Sequence, residues 1–350
     1  MSQSYCYNMQ RTLLCCILLD FIVHILSLST VPLHLNLKTV VVLHRHGDRS
    51  QISKTLSPRY PENQTHTNIW ISKMILPESH EIMSKIGDID KNLFDAKLTD
   101  EPISTDHLPP IETYAGWDRK NFPYGQLTQL GFQQLYSVGT ALRSRYIDFL
   151  GRDLNDGKVP QDLIYARSTN FSRTIQSLKA LLAGLFAVTA NTDESIKKIF
   201  IDRKPSNEEN MYSAADGPCN AMLQMKTRIQ SNIPLVNFMS DYSEFESKVK
   251  ADLGFVDSIA WVDLLEVLRC HLIHDIPLPP NITAAEIEKI DKLAAMQWGN
   301  QFNDVAYNRL AIGRYIREMM SMIDRSLSRE VGQGSPFISS VFLYNYYLFS

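Results

Sequence analysis

Cysteine is scarce in this chain and badly placed for a scaffold: of five, Cys6, Cys15 and Cys16 sit in the N-terminal segment and only Cys219 and Cys270 in the body. A disulfide framework is excluded, with room for one bridge at most. There is no Cys-x-x-Cys pair and no His-Glu-x-x-His stretch, and His44 with His46, on one face of a strand, make only two ligands. No metal and no other cofactor is expected. An excess of charge of one sign is missing too. With 35 Lys and Arg against 38 Asp and Glu, the net charge is -3 and the isoelectric point near 6.3. Such a surface has no global attraction for nucleic acid, so any bound anion must be held by arginines gathered locally. No internal repeat is visible. What remains, 350 residues of which 44% are hydrophobic, can bury one large core or two unequal ones.

Residues 1–30 read as a targeting element. Arg11 precedes the apolar run Leu13 to Leu28, and Ser27-Leu28-Ser29 offers a small-x-small cleavage site. Asp20 and His24 interrupt that run, and a charge at mid-bilayer costs roughly 2.5–3.5 kcal/mol on insertion scales. A secretory signal, leading to a lysosomal or extracellular protein, is therefore the first reading. A membrane anchor, a mitochondrial presequence and a misassigned start are the alternatives. Sequons at Asn63, Asn170 and Asn281 are compatible with secretion without deciding it.

Along the rest, Lys38 to Leu43 holds a β-branched run that suits a buried parallel strand. From 51 to 124 the chain is rich in Pro, Ser, Asn and Thr. That predicts a lid-like excursion with one short helix around Glu81 to Phe94. Within it Tyr114, Trp117, Phe122 and Tyr124 are candidates for an acyl or aromatic pocket, or for plain packing. Leu127, Leu130, Leu135, Val138 and Leu142 recur at helical spacing behind Thr128 as N-cap, predicting a helix that ends near Arg143 to Tyr146. Leu163 to Ala166 is a second strand. After Arg167-Ser168-Thr169 comes a helix with Ile175, Leu178, Leu182 and Leu185 on one face. Residues 202–326 read as a helical second layer, with periodicity over 257–272, 283–297 and 304–326. Strands alternating with helices and then a helix-rich block predict an α/β fold, a mostly parallel sheet flanked by helices, with a smaller helical domain. Residues 331–350 are the anomaly. The apolar, tyrosine-rich run Phe337 to Ser350 stops without a following helix or turn.

Arg45-His46-Gly47-Asp48-Arg49 follows the first strand directly, where a parallel sheet presents its ligand site. Gly47 allows a sharp turn, and Arg45 and Arg49 can donate forked hydrogen bonds to phosphate oxygens. A neutral imidazole among guanidinium groups resists protonation and keeps a lone pair for attack on phosphorus, which makes His46 the candidate nucleophile. Arg167 is the natural third clamp, since it follows a strand and precedes a helix N-terminus that favours an anion. Taken singly, an arginine in that position is more often part of an ion pair.

These residues resemble the signature of the histidine acid phosphatases. Two further blocks agree: Gly125-Gln126-Leu127-Thr128 with Gly131, and Arg167-Ser168-Thr169-Asn170 with Arg173-Thr174 and Leu181 to Phe186. The resemblance implies one histidine phosphatase domain over 36–350, acting without a metal on a small phosphate monoester or a lysophospholipid such as lysophosphatidic acid. It also implies Arg45, Arg49 and Arg167 as phosphate ligands and His46 as the phosphorylated residue. Two departures stand out. Gln51 replaces a proline that the family usually carries, and no histidine occurs after His274, whereas the family's late strand ends in a His-Asp or His-Glu pair supplying the general acid. His274-Asp275 matches the letters but precedes Ile276-Pro277, which reads as a loop pair in the helical layer. Asp48 is a poor substitute acid beside a phosphate-holding arginine, so the acid is not identified. A positioned acid is worth a factor of about 100 to 10,000 with a poor leaving group. An inactive phosphate-binding relative, or a truncated or alternatively spliced isoform lacking the C-terminal strands, is therefore the rival expectation. Loss of those strands would leave the nucleophile strand with a bare edge.

Overall fold

The computed structural model describes residues 37, 39–61, 63–86, 88–89, 121–150, 164–192, 199–204, 208–211, 220–231, 233–327 and 337–342. Segment 1–30, Tyr114, Trp117 and Cys219 lie outside them.

The Val-Val-Val run forms strand β1 (Val40–Arg45), and Ile164–Ser168 forms β3. With β2 (Asp88–Ile89), β4 (Ile199–Asp202) and β5 (Phe337–Phe342) they build a five-stranded sheet in the order β1-β5-β3-β4-β2, every pairing parallel. Part of the apolar run read as an anomaly, Phe337–Phe342, is thus a strand of the sheet. β5 lies between β1 and β3, with Ser339 opposite both Val42 and Ala166. The edge of β1 expected to be bare on one side is paired with β5. The physical reason is that Phe-Ile-Ser-Ser-Val-Phe has β-forming residues and no proline or glycine, and a slot with unpaired backbone on both sides satisfies it. Register brings the carboxyl ends of three strands level: Arg45 pairs with Phe342, and Ser168 with Val341.

Two helices cover the sheet. Thr128 caps α3 (Gln129–Leu150), its hydroxyl accepting from the Gly131 amide at 3.1 Å. The helix runs to Leu150 rather than ending near Arg143 to Tyr146. Nearly every side chain of α4 (Ser172–Leu185) is buried, because it is packed between the sheet and α3. Contact with α3 is close enough that a Cβ on Gly139 would overlap the Leu181 carbonyl and one on Gly184 the Tyr136 carbonyl. Val40, Ile164, Ala166, Leu178, Leu182 and Ile201 form the core beneath.

The excursion after β1 is more ordered than its composition predicts. Asn63 caps α1 (Gln64–Lys73), accepting from the Thr65 amide at 2.8 Å. The helix expected over Glu81 to Phe94 is α2 (Pro77–Ser84), started by its N1 proline and ended before β2. The second layer holds α5 (Asn220–Gln230), α6 (Ile233–Asp241), α7 (Ser243–Leu253), α8 (Trp261–Ile273), α9 (Ala284–Phe302) and α10 (Val305–Leu327). The last three answer to the predicted periodic stretches. Its own core gathers Val249, Leu253, Trp261, Leu265, Leu268 and Ile290. Among the described residues no helix is long and apolar enough to cross a membrane.

Candidate active site

β1 ends at Arg45, and the next six residues turn along the start of α3. A Cβ on Gly47 would overlap the Gly131 carbonyl, and one on Gly131 would overlap that of Asp48. This contact explains why both positions are glycine. The turn is fastened at every step. The Gly47 amide donates to Ser177 Oγ at 3.0 Å and the Asp48 amide to Gln134 Oε1 at 2.8 Å. The Thr128 amide donates to Asp48 O at 3.1 Å, the Ser50 amide to Gln126 O at 3.0 Å, and the Gly125 amide to Gln51 O at 2.8 Å. A loop held this way presents its side chains without reorganisation, which electrostatic catalysis requires.

His46 is buried. Its Nδ1 lies 2.7 Å from the Gly47 carbonyl and so carries the ring proton. That leaves the lone pair on Nε2, which has no hydrogen-bond partner among the described residues. Burial, and then the charges of Arg45, Arg49 and Arg173, hold the imidazole well below its ordinary range. The ring is therefore neutral, with its Nε2 lone pair unengaged among the described residues. Burial and the neighbouring Arg49 also lower Arg45, to about 10, which still leaves it charged at any pH of interest. Arg49 is buried as well, but Glu266 on α8 more than offsets that cost by an ion pair, and the Arg49 guanidinium also donates to Ser50 O at 3.0 Å.

Arg167 and Arg173, both of the second block, make different contacts. Arg167 is fully buried with its guanidinium on Glu318 Oε1 at 2.7 Å, Glu209 Oε1 at 3.1 Å and Asn210 Oδ1 at 2.6 Å, and it rests on the Tyr315 ring. Its terminal nitrogens tie β3 to α10, the arrangement of the ion-pair alternative, while its Nε has no partner among the described residues. A charge beside His46 comes from Arg173, six residues later in the first turn of α4. Its Nη1 donates to Gly125 O at 3.3 Å, and its guanidinium lies over the Phe171 ring. Arg49, by contrast, stands where the motif predicted, although Glu266, its buried counter-ion, carried no signal in the sequence beyond its place on a helix.

His274 caps the end of α8, as a loop pair would, yet its ring turns into the motif with Nε2 2.9 Å from Asp48 Oδ2. Asp275 is exposed at a φ of 57°. The pair is therefore split and does not form a joint acid site. The sequence after β5, Leu343-Tyr344-Asn345, contains neither histidine nor carboxylate. Next to the turn, a cavity of about 530 Å³ is lined by Gln51, Lys54, Tyr60, His66, Tyr124 and His271 among others. Tyr124 thus reaches a pocket wall, whereas Phe122 is exposed.

A parallel sheet with an Arg-His-Gly-x-Arg turn at its carboxyl end, and a neutral buried histidine under the charges of three arginines, define an α/β protein with a buried cationic site. Residues 36–249 match the family described as histidine phosphatase superfamily (branch 2), and the chain belongs to that family. It is 27% identical over 296 residues to counting factor 60 of Dictyostelium discoideum, covering 83% of this chain and 65% of that protein. To the lysosomal acid phosphatase of Xenopus laevis it is 30% identical over 177 residues, 49% of this chain and 40% of the relative. The human lysosomal acid phosphatase is 29% identical over 195 residues, 53% and 45%. The matches thus span less than two thirds of each relative's own length. In three dimensions the chain is similar to a Klebsiella phytase, with a TM-score of 0.46 and 15% identity over 88% of this chain and 69% of that one.

Proposed function

We propose that the chain hydrolyses phosphate monoesters through a phosphohistidine on His46. The observation that carries this reading is the bare Nε2 of a neutral, buried His46 amid Arg45, Arg49 and Arg173. Nε2 attacks phosphorus and the bond to the ester oxygen breaks, the leaving group taking up a proton. Water then attacks the phosphohistidine, releasing inorganic phosphate and the free imidazole. Arg45, Arg49 and Arg173 neutralise the equatorial oxygens throughout, where stabilisation of developing charge contributes most. Lysosomal acid phosphatases among the relatives support both the substrate class and a secretory-pathway location. The likeness of three sequence blocks to lysophosphatidic acid phosphatase type 6 supports a lysophospholipid phosphate as substrate, bound with its N-terminal segment at a membrane surface.

Among the described residues nothing hydrogen-bonds His46 Nε2, and no general acid is identified beside it. Aryl phosphates, whose leaving oxygens need little help, are therefore the expected fast substrates. The same observation favours a second reading, a phosphate-binding protein with little turnover. Hydrolysis of para-nitrophenyl phosphate at acid pH, with His46→Ala as control, separates the two. Turnover lost in the variant supports the enzyme. Equal background from both proteins, with phosphate still bound, supports the binder.

A further inference from the structure

The motif contains one acidic side chain, Asp48, between the nucleophile and Arg49. A carboxylate so close to a phosphate cradle would repel the dianion and compete for the guanidinium unless it were tied elsewhere. It is tied elsewhere. Its Oδ2 accepts the Thr128 hydroxyl and lies 2.9 Å from His274 Nε2. Arg49 takes Glu266 as its counter-ion instead.

His274 is itself fixed. It is buried, its ring meets Trp70 of α1 edge-on at 4.8 Å, and its amide closes α8 on Cys270 O at 3.2 Å. Glu266, Cys270 and His274 recur every fourth residue and so share one stripe of the helix. That stripe meets the turn residue by residue: Glu266 takes Arg49 and the Ile52 amide, Cys270 lies 3.8 Å from Arg49 O, and His274 takes Asp48.

We propose that His274 is a positioning residue for the phosphate cradle: with Thr128 it holds the Asp48 carboxylate off Arg49, so that no second carboxylate joins Glu266 on that guanidinium. This rests on the phosphate-cradle reading of the site. Its distinguishing consequence is that His274 acts on phosphate only through the charge of Asp48.

The test is a four-way comparison in the full chain: wild type, His274→Ala, Asp48→Asn and the double variant. Each is assayed for inorganic phosphate affinity by calorimetry and for cooperative melting. His274→Ala is expected to weaken phosphate binding about tenfold, the scale of one close polar contact. In the Asp48→Asn background the same change is expected to have no further effect, because no carboxylate remains to be restrained. Unaltered phosphate affinity in His274→Ala overturns the proposal, as does an equal loss in both backgrounds, which is the signature of mere packing. Should His274→Ala fail to melt cooperatively, His274→Gln decides. Its amide can donate to the same oxygen, so affinity near wild type supports the role and a tenfold loss refutes it. Wild-type protein that binds no phosphate instead removes the cradle, and the role of His274 with it.

Discussion

At the scale of single residues, two buried arginines of the same block have opposite duties. Arg173 contributes charge at His46, whereas Arg167 spends its terminal nitrogens on Glu209, Asn210 and Glu318. Arg173→Ala is therefore expected to cost about 100-fold or more in kcat/KM for an aryl phosphate while melting near wild type, the usual scale for one transition-state donor. Arg167→Met should do the reverse. It strands the buried Glu209 carboxylate, so stability falls by about 3–5 kcal/mol while phosphate affinity per folded molecule is retained. Denaturant melts and steady-state kinetics on both variants check this, and loss of phosphate binding in folded Arg167→Met would return it to the site. Sequence reading could see that the block held arginines after a strand, because Arg45, His46 and Arg49 form a contiguous motif whose turn geometry is local. It could not see which of Arg167 and Arg173 places its charge at His46. That depends on Glu209 and Glu318, distant in the chain, which claim the first. The first-turn position of Arg173 on a helix was the available signal.

At the scale of elements, close backbone packing and one central strand set the site. Gly184 meets the Tyr136 carbonyl of α3, so Gly184→Val must push α3 and α4 apart. Overpacking of this kind costs about 1–3 kcal/mol or more, and Ser177 and Gln134, which fasten the Gly47 and Asp48 amides, would shift with the helices. Lower Tm together with weaker phosphate binding is the expected pair of outcomes. A lower Tm alone would show that the turn is held independently of the helix pair. β5 is paired on both sides, so Ser339→Pro removes a backbone donor inside the sheet and is expected to abolish the cooperative transition; a circular-dichroism melt indistinguishable from wild type would contradict the strand's place. Helices α3, α4 and α8–α10 were legible because apolar periodicity and caps are short-range. β5 was not, since a lone apolar segment becomes a strand only when the slot between β1 and β3 receives it. Helix α1 hid behind polar residues and showed only through the Asn63 cap.

At the scale of the whole molecule, buried titratable groups fix how it responds to acid. Burial lowers His44 and His271 from 6.5 to about 4, and burial with the neighbouring arginine charges holds His46 well below its ordinary range. Each binds its proton more readily in the unfolded chain, so stability rises with pH between about 4 and 6.5 and falls on acidification through that window. Lower still, Glu318 is held at about 2: burial opposes its ionisation, but hydrogen bonds from Asn210 and Lys204 and the Arg167 charge prevail. Its contribution is complete above 4.5 and lost as pH falls towards 2. Tm should therefore fall between pH 6.5 and 4 and fall again below, with Glu318→Gln flattening only the second decline; a Tm constant from pH 7 to 4 contradicts this assignment of neutral buried histidines. A lowered His46 is also what the proposed chemistry requires. The most direct test of the account is to quench the protein during turnover of para-nitrophenyl phosphate and map the modified peptide by mass spectrometry under alkaline conditions. The account predicts one phosphoryl group on Nε2 of His46, absent from His46→Ala; phosphate released with no phosphopeptide, or with the label on another residue, would contradict it.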